Sequence, residues 1–74
     1  MGQSKDMDAK AIGLSIKKYR KLKKLSFTQL KQMTNIGVMD LQLYEDGQKE
    51  PTIKELEKLA EALDVPVTTL TRRE

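Results

Sequence analysis

Neither cysteine nor histidine occurs among the 74 residues, which removes disulfides, thiolate or imidazole metal sites, and catalysis by either side chain. No apolar run approaches the roughly 20 residues of a membrane span, and the N-terminus lacks the apolar core of a signal peptide. The opening Met1-Gly2-Gln3-Ser4-Lys5-Asp6 begins like a myristoylation signal, but Asp6 stands where that pattern asks for Ser or Thr. These absences leave a soluble, cytoplasmic chain with no metal, no cofactor, no evident small-molecule substrate and no feature of an enzyme. At this length the chain buries only about 60–65% of its unfolded surface, so the core is small and each apolar position counts.

Positive charge is present but unevenly placed. The net charge is +3, with a pI near 9.3. Residues 1–24 hold eight Lys or Arg against two Asp, residues 25–50 two against four, and residues 51–74 four against five. A basic balance fits a nucleic-acid partner, yet it is concentrated ahead of residue 25.

The periodicity throughout is that of helices; no strand pattern, internal repeat or long linker appears. Residues 1–7 are polar and aperiodic, a flexible tail. Asp8 can cap a first helix, ending near Lys24, whose inward stripe is Ile12, Ile16, Tyr19 and Leu22, with Lys10, Lys17, Lys21 and Lys24 on a solvated opposite face. Ser26-Phe27-Thr28-Gln29 is a capping box flanked by Leu25 and Leu30 at staple positions, predicting a helix from Phe27 to about Thr34. Asn35 tolerates the left-handed turn that ends it. Gly37 opens a third helix with Leu41 and Tyr44 inward, and Asp46-Gly47 breaks it. Thr52 and Glu55 form a second capping box, introducing Ile53, Leu56, Leu59, Ala60 and Leu63 on one face. After Val65-Pro66, Val67 and Leu70 belong to a short fifth helix that closes the core.

The run LSFTQLKQMTNIGVMDLQLYEDGQKEP, with IGLSIKKYRKLKKLS before it and TIKELEKLAEALDVPVTTL after it, resembles the Xre family of helix-turn-helix domains, the group containing phage Cro and lambda-type repressors. The resemblance implies an all-α, five-helix, lambda-repressor-like domain over residues 8–74, with the helix-turn-helix at helices 2 and 3. It also implies a salt bridge between Arg20 and Glu45, tying helix 1 to the end of helix 3. Some positions depart from the family. Lys31 stands where a small residue lets helix 3 cross closely, so it must snorkel or widen the crossing. Phe27 replaces a phosphate-contacting Gln, and Asp46 a polar residue, often Asn.

In the family's geometry the first residues of helix 3 enter the major groove, which makes Val38, Met39, Asp40, Gln42 and Leu43 the candidate base readers. Gln42 suits adenine, Val38 and Met39 suit thymine methyls, and Asp40 suits the cytosine amino group; no arginine is present for guanine. Ser26, Thr28, Lys31, Gly37, Lys49 and Lys54 are the phosphate-contact candidates, two of them through helix N-termini. Weak binding by one subunit calls for a homodimer, and the family places such contacts near helix 5, here Val65, Val67 and Leu70. Two functions follow. One is a sequence-specific, repressor-like regulator of transcription bound to double-stranded DNA. The other is a protein-binding module that uses an apolar patch of Val38, Met39 and Leu43 on helix 3.

Overall fold

Asp8 starts the first helix by accepting from Lys10 N at 3.0 Å, which satisfies one of the amides that the first helical turn leaves free. In this computed structural model, which describes residues 8–71, five helices follow in order: α1 (Ala9–Leu22), α2 (Phe27–Thr34), α3 (Val38–Glu45), α4 (Ile53–Leu63) and α5 (Val67–Thr71). The tail expected at residues 1–7 lies outside the described residues. No helix among the described residues is long and apolar enough to cross a membrane.

Both capping boxes are formed. Ser26 Oγ accepts from Gln29 N at 3.1 Å while Gln29 Oε1 accepts from Ser26 N at 2.9 Å. Thr52 and Glu55 repeat the exchange at 3.1 and 3.0 Å. At the other ends, each of α1 to α4 is closed by a residue in the left-handed region: Lys24 (φ 58°), Asn35 (φ 63°), Gly47 (φ 75°) and Asp64 (φ 61°). Around Lys24, Gly47 and Asp64 the backbone closes in the paired 6→1 and 5→2 pattern that satisfies the last carbonyls. The first helix consequently stops at Leu22 rather than near Lys24.

α1 packs on α3, α4 and α5; α2 packs on α3 and α4; and α4 packs on α5. Between them lies one core of Ile12, Ile16, Leu30, Ile36, Leu41, Tyr44, Leu56, Leu59, Ala60, Leu63 and Leu70. Burying each large member contributes about 1.5–3 kcal/mol. Tyr19 and Val67, also expected in this core, pack against it only partly buried, and two further expected members are exposed. Leu22 is 66% exposed, because at about 100° of rotation per residue it falls roughly 120° from Ile16 around α1. Ile53 is 59% exposed; it lies on the correct face, but burial along α4 begins one turn later, at Leu56.

α1 and α3 approach each other closely at Gly13. A Cβ built there would lie 2.1 Å from Tyr44 O and 3.0 Å from Glu45 O, so α1 rests directly on the carbonyl end of α3. Lys31 is exposed to solvent.

Candidate nucleic-acid interface

The turn between α2 and α3 is closed by a buried hydroxyl. Thr34 Oγ1 donates to Leu30 O at 2.8 Å and accepts from Ile36 N at 3.2 Å, so both strands of the turn are tied through one side chain. Asn35 takes the left-handed conformation between them, and Ile36 is 5% exposed. With its two sides pinned, the turn fixes the angle at which α3 leaves α2.

The far end of α3 is fixed by Arg20. Its Nε and Nη2 donate to Glu45 Oε2 and Oε1 at 2.6 and 3.1 Å, and its Nη1 donates to Leu25 O at 2.9 Å. The guanidinium centre also lies 4.3 Å from the centroid of the Phe27 ring, a stacking contact for which guanidinium is suited. The Glu45 side chain is only 4% exposed. One side chain therefore joins α1, the α1–α2 corner, α2 and α3. Phe27, which occupies the position of a phosphate-contacting residue in the family resembled, is used here to cover the ion pair.

Tyr44 anchors α3 to α4: its hydroxyl donates to Glu55 Oε1 at 2.6 Å. Burial, then the hydrogen bond to Glu55 and the nearby Glu55 and Asp40 charges, raise the Tyr44 pKa far above its ordinary value. Burial alone pushes the Glu55 carboxyl up, but bonds from the Tyr44 hydroxyl and from Thr52 outweigh it and leave Glu55 below the usual glutamate range.

On the surface held in this way, Met39 is 75% exposed and Gln42 is exposed, while Val38, Asp40 and Leu43 are half-buried. The apolar patch expected from Val38, Met39 and Leu43 is thus reduced to Met39 as its fully outward member. Gly37 supplies the N-cap without any side-chain hydrogen bond, and a Cβ on it would meet nothing within 4 Å, so the space beside the start of α3 is open. Thr28, Lys31 and Lys54 are exposed. Ser26 is exposed as well, but its hydroxyl and amide are engaged with Gln29. Lys49 is paired with Asp40, Nζ to Oδ1 at 3.1 Å, which joins a phosphate-contact candidate to a base-reading one. Among the described residues no cluster of acidic side chains is arranged to hold a metal ion.

Of the dimer-contact candidates, Val65 and Val67 are half-buried. Leu70 requires correction: it is 0% exposed, its side chain being taken up by the core. Sequence reasoning also overlooked Gly13, the Thr34 hydroxyl and the Tyr44–Glu55 link. Only Gly13 left a signal, since a glycine inside a helical pattern often marks close packing.

Residues 16–70 match the family model HTH_3, described as helix-turn-helix. No curated protein matches the sequence. Among solved structures, the restriction-modification controller protein C.AhdI from Aeromonas hydrophila is similar at 27% identity and a TM-score of 0.80, covering 85% of this chain and 96% of that one. An HTH_3 family transcriptional regulator from Vibrio cholerae is 29% identical with a TM-score of 0.80, over 88% of this chain but only 36% of that one. The clp gene regulator ClgR from Corynebacterium glutamicum shares the fold at 22% identity and a TM-score of 0.82, over 86% of this chain and 68% of its own.

Proposed function

Because the chain belongs to the HTH_3 helix-turn-helix family, we propose that it is a DNA-binding transcription regulator that reads the major groove with α3 and represses as a homodimer. One observation carries this reading. The pinned α2–turn–α3 unit presents the first turn of α3 without a side-chain cap, with Met39 and Gln42 outward. Free helix N-terminal amides suit phosphate, and Gln42 can pair bidentately with adenine.

The charge around the motif argues for two subunits. Exposed Lys31, Lys49 and Lys54 are offset in charge by Asp40, Asp46 and Glu50, so few counterions are released per subunit and one subunit binds weakly. A second copy doubles the phosphate contacts. Val65 and Val67 retain apolar surface at and just before α5 for that contact. The restriction-modification controller and the two regulators resembled here are consistent with control of transcription.

The test is selection of the purified chain against a random duplex library at low salt, followed by sequencing. Recovery of a palindrome with half-sites about 10 base pairs apart is the expected result. Enriched sites should lose affinity with Met39→Ala and Gln42→Ala. No enrichment, with salt-insensitive retention of protein partners instead, would overturn the assignment.

A further inference from the structure

Asp40 is an unusual residue to find on a surface that approaches phosphate. It sits in the first turn of α3, one turn before Tyr44. Lys49 reaches back from the loop after α3 to place Nζ 3.1 Å from Asp40 Oδ1 and 5.9 Å from the Tyr44 ring centroid. Tyr44 is itself fixed by its 2.6 Å bond to Glu55. The ammonium therefore has a carboxylate on one side and an immobile aromatic ring on another. Both charged side chains remain half-exposed, so the pair adds little to the fold. Its consequence concerns what the DNA encounters.

We infer that Asp40, oriented by Lys49, is a selectivity residue that lowers affinity for DNA in general and is compensated only where a cytosine amino group faces it. The inference rests on the reading that α3 enters the major groove. A carboxylate can only accept. Guanine presents two acceptors in that groove and thymine an acceptor and a methyl, while adenine sets its amino group beside the N7 acceptor; cytosine offers an amino donor alone. With Oδ1 engaged by Lys49, Oδ2 is the free acceptor. At every other base the carboxylate repels the DNA, and it also holds back Lys49, a cation of this loop that would otherwise neutralise a phosphate. The pair thereby trades affinity for discrimination.

Fluorescence-anisotropy titration of the whole chain decides the matter, using a mixed-sequence duplex and a selected site with all four bases placed at each position. The proteins are wild type, Asp40→Asn, Lys49→Gln and the double variant. Asp40→Asn should bind the mixed duplex about eightfold more tightly near 0.1 M salt, with a log-log salt slope steeper by about 1, the effect of one added phosphate contact. Its cytosine preference at one position, about 5- to 150-fold in the wild type, should flatten. The gain in affinity should shrink in the double variant, because it runs through Lys49. A wild type that binds duplex while Asp40→Asn leaves affinity, slope and base preference unchanged would overturn this inference alone. A wild type that binds no duplex at any salt would overturn the major-groove reading, and this inference with it.

Discussion

Removing the Arg20 guanidinium would leave the Glu45 carboxylate buried without a counter-charge, and would take away the donor to Leu25 O at the same time. Arg20→Ala is accordingly expected to destabilise the fold by about 3–5 kcal/mol, read as a lower urea midpoint with an unchanged m-value. Lysine should not rescue it, since an ammonium offers neither the two parallel bonds to Glu45 nor a flat face for Phe27. A midpoint within error of the wild type would show that the pair is dispensable. The identity of this pair was legible from the resemblance to the Xre family. Its extent was not, because the reach of Arg20 to Leu25 O and the use of Phe27 as a lid depend on how the α1–α2 corner folds back. Gly13 was passed over for a related reason: in sequence it is merely a weak point in a helix, and only the path of α3 shows that a methyl would strike the Tyr44 carbonyl.

For whole helices, start signals were more legible than stop signals. Ser26 with Gln29, and Thr52 with Glu55, combine two side chains at fixed spacing, and few other arrangements use that combination. Stops rest on one backbone conformation. Asn35 and Gly47 betray it by residue type, whereas Lys24 and Asp64 do not, since most left-handed caps are glycine. Lys24 carries the larger penalty, because a β-carbon in that region costs about 1–2 kcal/mol and lysine lacks the short polar side chain that makes Asp and Asn tolerant of it. Its side chain is exposed, so Lys24→Gly should relieve that strain without losing a packing contact. Glycine's greater freedom in the unfolded chain offsets part of the gain, leaving a net stabilisation of about 0.5–1 kcal/mol and a melting temperature higher by a few degrees. A lower melting temperature would mean that Lys24 contributes something its conformation does not reveal. The third helix was the least legible element. Its pattern located α3, but which of Val38, Met39 and Leu43 face outward depends on where α2 and the following loop lie.

Across the whole molecule, the Tyr44–Glu55 bond makes stability depend on pH at both extremes. The folded-state pKa of Glu55 lies below its unfolded value, so its contribution is present above the ordinary glutamate range and is lost as acid takes the pH down through the folded value. The folded-state pKa of Tyr44 lies above its unfolded value of 10.0, so its contribution is complete below that value and fades as pH rises beyond it. Urea midpoints across pH should therefore fall at both ends, and the alkaline fall should be shallower in Tyr44→Phe than in the wild type. Parallel alkaline declines would refute the linkage. Neither arm was legible in the sequence, where Tyr44 and Glu55 are simply a core aromatic and a capping residue.

The contact at Gly13 has a kinetic side. Glycine weakens an isolated helix by roughly 0.5–1 kcal/mol against alanine, so α1 forms poorly until something else holds it. Its supports are α3, α4 and α5, all reached only after the intervening chain has closed. α2 and α3 pack across a turn of only three residues and can form first, so α1 is expected to be completed by docking, late on the folding path. Ile16→Val should thus accelerate unfolding and leave the folding rate almost unchanged, whereas Leu41→Ala should slow folding. Stopped-flow chevrons of the two variants would reverse this order if α1 belonged to the nucleus.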